Sequence, residues 1–308
     1  MGFQVNRVQI PISFVLRLGF FIIRNMKTAK YIILVIFLAV FACPGYGDKY
    51  PERIISLGPV ITEELYSLGA GDEIVAVTDY CIFPQQAQQK EKVGTLTDIN
   101  MEKVLALKPD IVFATALTNP RQVQALKKLG VRVEVFPYYR NFDDICGQFM
   151  RLAEMIGKQA RAKQIVNAAK GKVKHLRKQV TGKSPPRVFV QIGARPLFTV
   201  TGDSFINDYI EMAGGINVAA DLAKSGLYSR EEVVRQNPDI IIIAAMGIRE
   251  QEEEEWQRFP QISAVAENRI YTMDPYRICS STPENYPDTL KELIQIFHPQ
   301  PGKVKKNE

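Results

Sequence analysis

The chain has 308 residues, of which 39 are Lys or Arg and 33 are Asp or Glu, and its pI is near 9.0. Residues 1–47 carry five of the basic residues and no acidic one, which leaves the rest nearly neutral, with 34 basic against 33 acidic residues. This balance argues against a nucleic-acid-binding surface, and the length suffices for two hydrophobic cores.

The N-terminal segment has the pattern of an export signal that begins at Met26. Lys27 and Lys30 precede an uninterrupted apolar run, Tyr31–Ala42, which is short for a bilayer-spanning helix. Gly45-Tyr46-Gly47 then fits the small-x-small pattern of a cleavage site. We therefore expect residues 1–47 to be an export signal, with an uncleaved membrane anchor as the alternative.

The cysteines give a second clue to the compartment. Val40-Phe41-Ala42-Cys43 is a degenerate lipobox, so lipidation of Cys43 is an alternative to soluble export. The spacing of Cys81, Cys146 and Cys279 fits no zinc motif. We expect Cys146 to be a core residue, and Cys81 and Cys279 to be separate thiols.

The segment after the export signal predicts alternating strands and helices. β-Branched runs bounded by Gly or Pro indicate strands, and amphipathic segments that end at Gly or Pro indicate helices. This βαβα order implies a parallel sheet with helices on both faces. The predicted strands are Arg53–Leu57, Glu73–Val77, Ile111–Thr115 and Val131–Phe136, and the predicted helices are Thr62–Leu68, Ile99–Lys108 and Pro120–Leu129.

The pattern changes between Phe142 and about Lys178. Apolar residues such as Ile145, Phe149 and Leu152 recur there mostly at helical spacing. This spacing predicts one long helix, or two nearly continuous helices, between two α/β lobes.

Strand–helix order resumes after this segment and predicts a second lobe. The acidic run Glu252–Glu255 within it is interpreted as the solvated start of a helix. The predicted strands are Arg187–Ile192, Ile240–Ala245 and Ile270–Met273, and the predicted helices are Phe205–Ala213, Arg230–Gln236 and Thr289–Phe297.

One pattern occurs once in each lobe. Glu102–Val112 has the sequence EKVLALKPDIV, and Glu231–Ile241 has the sequence EEVVRQNPDII. Each predicts a short helix with Glu near its positive end, stopped by Pro and followed by a buried strand. The repeat therefore predicts two similar lobes: residues 48–140 and 183–298, a linking helix at 141–182, and a flexible tail at 299–308.

The sequence lacks the motifs of common catalytic and metal sites. The two histidines, His175 and His298, lie on the polar side of the linking helix and near the C-terminus, and neither has a second His at metal-binding spacing. The sequence also lacks a nucleophile elbow and a phosphate-binding glycine loop. We therefore predict neither a catalytic site nor a metal site.

Aromatic and basic residues follow the predicted strands of both lobes. Ligands of open α/β sheets bind beside the carboxyl ends of strands, so these residues predict an interlobe cleft with apolar walls, suited to a large flat ligand. The candidate ligand-binding residues are Tyr80, Cys81, Phe83 and Leu96 in the first lobe, and Arg195, Phe198, Tyr228, Tyr276 and Arg277 in the second.

The order of these motifs resembles the cobalamin- and iron-siderophore-binding proteins of bacterial ABC importers. The resemblance runs from about Arg53 to Phe297 and includes RIISLGPVITEELYSLGAGDEIVAVTDYCIFP, KVGTLTDINMEKVLALKPDIVFA, RVFVQIG and the AGG-x-N at Ala213–Asn217. It implies the class III periplasmic-binding-protein fold, with two α/β lobes of central parallel sheet joined by a long rigid helix. Among these relatives the cobalamin binders look closest, through TDYCIFP and SREEV.

The resemblance also implies roles for individual residues. By position, Tyr80 contacts a corrin, Leu96 replaces a stacking Trp, and Phe198 lines the opposite wall. In the resembled family, glutamates at the positions of Glu102 and Glu231 meet arginines on the two permease subunits.

We therefore expect an exported, monomeric solute-binding protein without a cofactor of its own, periplasmic or lipid-anchored at Cys43. It would deliver a corrinoid to an ABC permease dimer. An iron-siderophore or haem binder is the alternative within this class. An enzyme acting on a tetrapyrrole and a receptor domain are the alternatives outside it.

Overall fold

The computed structural model describes residues 50–222, 226–244 and 249–299. The predicted export signal with Met26 and Cys43, Ala245 at the end of a predicted strand, and residues 300–308 of the predicted tail lie outside the described residues.

The first lobe contains a five-stranded parallel sheet in the order β3-β2-β1-β4-β5. The central strands β1 and β4 are almost entirely buried, as expected of parallel strands covered on both faces. The elements are β1 (Ile54–Leu57), α1 (Pro59–Ser67), β2 (Ile74–Val77), a 3-10 helix (Gln85–Gln89), β3 (Glu91–Lys92), α2 (Met101–Ala106), β4 (Ile111–Thr115), α3 (Pro120–Lys128) and β5 (Val133–Phe136).

The second lobe contains a five-stranded sheet in which β6 pairs with β9 and β8 in parallel and with β7 in antiparallel, and β10 extends the sheet beyond β9. The short strands β7 and β8 were not predicted. The elements are β6 (Arg187–Ala194), β7 (Leu197–Thr199), α6 (Phe205–Met212), β8 (Ile216–Asn217), α7 (Arg230–Gln236), β9 (Ile240–Ile243), α8 (Arg249–Gln257), α9 (Ser263–Ala266), β10 (Ile270–Thr272), α10 (Pro275–Cys279) and α11 (Tyr286–Phe297).

The linking segment forms two helices, α4 (Phe142–Met155) and α5 (Gln159–Lys178). The helices are separated by Gly157, whose φ of +71° ends α4 in a left-handed conformation. An ion pair of 2.8 Å between Asp143 at the start of α4 and Lys170 on α5 shows that the helices fold back on each other. The segment thus forms two helices, as one of the predicted alternatives had it, and the 20-residue α5 is a long helix. The prediction that the two are nearly continuous is wrong, because the chain reverses at the glycine.

Both linking helices nevertheless reach from one lobe to the other. Near the start of α5, the Arg161 guanidinium donates a hydrogen bond to the carbonyl of Ser67 in the first lobe, and just after its end Val180 lies against Gly214 in the second. The largest apolar cluster runs through both lobes and through α4 and α5, and two smaller clusters each belong to a single lobe. This shared core ties the lobes together.

The predicted repeat is reproduced in the details of hydrogen bonding. The Asp110 carboxylate accepts the backbone N–H of Arg53 at 2.9 Å, and the Asp239 carboxylate accepts that of Arg187 at 2.8 Å. Each arginine also donates from its guanidinium to carbonyls at the end of the repeat helix, Leu107 in one lobe and Gln236 in the other. The Pro-Asp pair thus joins a repeat helix to the first strand of its lobe.

The acidic run on α8 is not entirely solvated. Glu252 is buried and pairs with Arg230 at 2.6 Å, and it also accepts a hydrogen bond from Gln191 at 2.7 Å. Arg230 lies over the Trp256 ring, 4.5 Å from its centroid. The interpretation of this run as a solvated helix start is therefore wrong for Glu252, whose partners come from distant parts of the chain.

Candidate functional site

Exposed apolar side chains gather where the strands of both sheets end. Parallel strands end at one edge of a sheet, so residues that follow different strands become neighbours. Most of the large exposed hydrophobic residues lie at these two edges: Tyr80, Ile82, Phe83, Leu117 and Tyr138 in the first lobe, and Ile192, Phe198 and Leu227 in the second.

Direct contacts show that the two edges face each other. The Phe83 ring of the first lobe and the Tyr276 ring of the second have centroids 4.7 Å apart. The Tyr276 hydroxyl donates a hydrogen bond to the Glu63 carboxylate on α1, and Ser67 donates to Glu284 at 2.5 Å. Loops that follow the strands of the two lobes therefore meet between the lobes, where the sequence predicted a ligand cleft.

Three of the predicted residues present exposed rings at these edges. Tyr80 is 58% exposed and follows β2, Phe83 lies three residues further on, and Phe198 lies on β7. Gly193 of β6 lies opposite Phe198 in the antiparallel pair, and a side chain in place of this glycine would crowd the Phe198 side chain.

Cys81 does not line the cleft. Its side chain is fully buried, and its sulfur lies 3.2 Å from the Thr62 hydroxyl and 3.1 Å from the Thr78 hydroxyl. A turn in which the Cys81 N–H bonds to the Thr78 carbonyl directs the thiol into the core. The prediction of Cys81 as a ligand-contacting side chain is therefore wrong.

Cys81, Cys146 and Cys279 are all free thiols, and Cys146 is buried as expected.

The other predicted residues differ in how far they are available to a ligand. Leu96 is half-buried, and Arg195 is exposed in the turn between β6 and β7. Tyr228 stacks on the buried ring of Phe189, with centroids 5.8 Å apart, so much of it belongs to the core of the second lobe. Arg277 forms an ion pair of 3.0 Å with Glu292 on α11.

The sequence analysis did not single out Ile82, Tyr138 or Ile192. All three are exposed at the edges that form the cleft. Tyr138 follows β5 by two residues, and Ile82 lies between two predicted residues after β2. Both could have been predicted from the rule that ligands bind beside the carboxyl ends of strands. Ile192 lies inside β6, where a strand pattern gives no sign of exposure.

Two adjacent carboxyl groups lie on α1, those of Glu63, which meets Tyr276 of the second lobe, and of the buried Glu64. Burial raises the pKa of Glu63, and the hydrogen bond from Tyr276 opposes that rise. Burial raises the pKa of Glu64 well above its ordinary value, and the neighbouring Glu63 raises it further. Tyr139 lies close by, and burial together with the charge of Glu64 raises its pKa as well.

The predicted docking glutamates occupy equivalent sites in the two lobes. Glu102 and Glu231 are exposed in the first turns of α2 and α7. The N-terminus of each helix is already capped, by the Asn100 side chain at 2.9 Å and by the Ser229 hydroxyl at 3.2 Å. The Glu231 carboxylate accepts a hydrogen bond from its own backbone N–H and a second one from the Ser229 hydroxyl. Both lower the pKa of Glu231, the first more than the second.

The described residues contain neither a candidate metal cluster nor a helix that could span a membrane. Within residues 50–222, 226–244 and 249–299, no group of three or more His, Cys, Asp or Glu side chains could hold a metal ion. In the same part of the chain, no helix has the length and apolar character needed to cross a bilayer.

Comparisons with known proteins match this architecture. The chain is 30% identical over 262 residues to an uncharacterised ABC transporter substrate-binding lipoprotein, YvrC, of Bacillus subtilis (strain 168), covering 79% of this chain and 83% of that protein. It is 34% identical over 195 residues to a vitamin B12-binding protein of Yersinia pestis (strain Pestoides F), covering 63% and 69%.

A solved structure described as a possible iron-binding (periplasmic solute-binding) protein of Staphylococcus epidermidis superposes with a TM-score of 0.73 at 27% identity, covering 81% of this chain and all of that one. These relatives are substrate-binding proteins of transport rather than enzymes, and they support an extracytoplasmic location. The sequence model of the periplasmic binding protein family matches residues 54–276, so the chain belongs to that family and has its two-lobed α/β fold.

Proposed function

We propose that this protein captures a corrinoid in the interlobe cleft and delivers it to an ABC permease. The observation that carries the proposal is the set of exposed apolar side chains that both lobes present at the facing strand ends. Apolar burial contributes about 25 cal/mol per Å², so a macrocycle that covers about 200 Å² of such surface would gain about 5 kcal/mol.

A corrinoid suits these walls because its cobalt is already held within the macrocycle, so stacking surfaces can bind it without metal ligands from the protein. The vitamin B12-binding relative supports the same ligand class. Leu96, half-buried beside the cleft, would give an aliphatic contact where the resembled family has a Trp.

An iron-siderophore or haem is the second candidate. Arg195 is exposed in the turn three residues before Phe198 of β7, so a cation and an aromatic ring lie close together in sequence at this edge. Such a pair would suit an anionic iron complex, and one relative of known structure is described as a possible iron-binding protein.

The ligand is tested by incubating the purified protein with cobalamin, haem or a ferric siderophore and recording visible absorbance after desalting. The proposal is supported if the protein keeps about one equivalent of cobalamin after desalting, as shown by the cobalamin absorbance. Retention of haem or siderophore alone assigns the second candidate. Consumption or chemical change of the tetrapyrrole would contradict a role in binding alone.

Export and delivery complete the proposed function. Residues 1–47 would be removed on export, or Cys43 would anchor the protein by lipid, and a monomer would then dock through Glu102 and Glu231 onto a permease dimer. Mass spectrometry of the protein isolated from its native host would distinguish cleavage before Asp48 from a lipidated Cys43.

A further inference from the structure

A long stretch of this chain is basic without any acidic residue. From Met155 to Gly202 there is no Asp or Glu, whereas the exported part as a whole is nearly neutral. Helix α5 lies within this stretch and has no acidic residue of its own. Helix α5 therefore brings a concentrated positive charge to an otherwise balanced protein.

The cations of α5 concentrate on one face of the helix. At about 100° per residue, five of them fall within an arc of about 100°. They form what we name the cationic stripe, and all five are exposed: Lys163, Lys170, Lys174, Arg177 and Lys178. The buried face of α5 is formed instead by Ala162, Val166, Ala169, Val173 and Leu176. Lys163 and Lys178 are about 22 Å apart along the axis, at about 1.5 Å per residue.

The stripe borders a groove of about 540 Å³ between α5, the start of α4 and the end of α6. Phe142, Val173, Val180 and Met212 give this groove an apolar floor, and four residues of the stripe line it. Two carboxylates also reach it: Asp143 pairs with Lys170 at 2.8 Å, and Glu211 accepts a hydrogen bond from Asn207 at 2.8 Å. Four cations against two carboxylates leave the groove positive.

We propose that the cationic stripe and its groove dock the protein onto anionic phospholipid headgroups at a membrane surface. A rim of lysines around an apolar floor is complementary to an interface that is anionic outside and apolar beneath. Each Lys or Arg near an anionic bilayer adds to attraction, and the effect depends on ionic strength. Glu102 and Glu231 lie on α2 and α7, so permease docking would use other residues.

The test measures binding of the full chain to vesicles of phosphatidylcholine with and without phosphatidylglycerol. The variant Lys163→Glu, Lys174→Glu, Arg177→Glu and Lys178→Glu reverses the stripe but leaves the Lys170 ion pair in place. A matched control, Arg121→Glu, Lys127→Glu, Lys128→Glu and Arg132→Glu, makes the same change of net charge at exposed positions of the first lobe. Residues 1–49 are identical in all three proteins, so their own affinity for lipid cancels.

Phosphatidylglycerol should increase vesicle binding by the wild-type protein and by the control. In the stripe variant this increase should be smaller by roughly tenfold or more. Added salt should weaken the increase in the wild-type protein. Circular dichroism and a version with Gln at the same four positions would show that the loss reflects charge and not unfolding. Equal losses in the stripe variant and the control, or binding to soluble polyphosphate without binding to anionic vesicles, would overturn the proposal.

Discussion

At the scale of single residues, exposure decides which aromatic side chains can meet a ligand. Tyr80, Phe83 and Phe198 keep exposed rings at the cleft, whereas Tyr228 is stacked on a core ring and Tyr276 already contacts Phe83. Tyr80 is the most exposed of the predicted aromatic contacts, at 58%, so it offers the clearest test of the cleft.

We expect Tyr80→Ala to weaken corrinoid binding by roughly tenfold, about 1.4 kcal/mol, because a stacked aromatic face is lost. Leu129→Ala is a suitable control, since Leu129 is 59% exposed but lies just before β5, at the opposite end of the strand. Isothermal calorimetry measures both. Unchanged affinity in Tyr80→Ala, Phe198→Ala and Tyr276→Ala together would exclude the cleft as the binding site.

Glu64 is the second residue whose environment predicts a measurable effect. It is 6% exposed, its carboxyl forms no hydrogen bond or ion pair with the described part of the chain, and burial raises the pKa of that carboxyl. The folded state therefore holds this proton more tightly than the unfolded state. The stability that this proton contributes is present below the unfolded pKa of 4.5 and is lost as pH rises towards the folded value.

We therefore expect Glu64→Gln to stabilise the protein at neutral pH, by on the order of 1–3 kcal/mol, and to have a smaller effect in acid. Urea unfolding at about pH 8 and about pH 4 would show the difference. Glu254→Gln, at an exposed position of α8, is the matched control. If Glu64→Gln raised the free energy of unfolding equally at both pH values, the charge of Glu64 would not be the cause of the stabilisation.

At the scale of secondary-structure elements, the two repeat helices end alike but with different residues. Lys108 and Asn237 both follow their helices with φ of +45°. Lysine is strained in this left-handed conformation, whereas asparagine tolerates it, and the Asn237 side chain also accepts the N–H of Ser263 at 2.7 Å.

The same substitution should consequently have opposite effects at these two positions. Lys108→Gly should stabilise the protein by about 0.5–1 kcal/mol, because glycine relieves the strain. Asn237→Gly should destabilise it by about 1 kcal/mol, because the N–H of Ser263 loses its partner. Thermal unfolding of the two variants measures both changes in stability. If both substitutions stabilise the protein, or both destabilise it, the assigned conformations are contradicted.

The starts of the repeat helices predict a defect in transport without a defect in binding. The Asn100 and Ser229 side chains cap these helices, and both glutamates are exposed to a partner, although the Glu231 carboxylate also accepts local hydrogen bonds from its own N–H and from Ser229. Glu102→Ala combined with Glu231→Ala should leave ligand affinity unchanged and reduce uptake in cells roughly tenfold, since charges at the rim of an interface govern encounter and orientation.

The matched control for this double variant is Glu253→Ala with Glu254→Ala, which removes two exposed carboxylates from α8. It should leave uptake unchanged at equal protein levels. Uptake at the wild-type rate in the Glu102 and Glu231 variant would mean that these residues act only on the helix dipoles.

At the scale of the whole molecule, the antiparallel pair α4 and α5 sets how far the lobes can move. The largest apolar cluster passes through this pair from one lobe to the other, so a large rotation would have to break a packed core. Contacts such as that between Phe142 of α4 and Tyr286 of α11, with ring centroids 4.4 Å apart, add to this restraint.

We therefore predict little closure when ligand binds. Small-angle scattering with and without ligand should give radii of gyration that agree within error. A clear compaction on binding would contradict the prediction, and it would place a hinge at the turn of Gly157 or in the segments that join α4 and α5 to the lobes.

Much of the fold could be predicted from the sequence because its signals are local. The strand over Ile111–Thr115 and the helix over Arg230–Gln236 were predicted with the observed bounds, since Pro, Asp and β-branched residues mark their ends directly. The two-residue strands β3 and β8 gave no such signal, because they form only where a longer neighbour provides hydrogen-bond partners.

The site could be predicted less fully, for the same physical reason. The position of Tyr80 after a strand is encoded locally, and so is the shared pattern of Glu102 and Glu231. The burial of Cys81 depends on Thr62, and the burial of Glu252 depends on Gln191 and Arg230, which are distant in sequence. Such contacts exist only after the lobes have folded.

Local signals were enough to predict the class of the protein, because turn residues, apolar periodicity and a duplicated helix–strand pattern each act over a few residues. Tertiary structure alone decided that the linking segment folds back at Gly157, that Phe83 meets Tyr276 across the cleft, and that the lysines of α5 gather beside a groove. Each of these depends on which surfaces pack together, and packing joins residues that no local pattern connects.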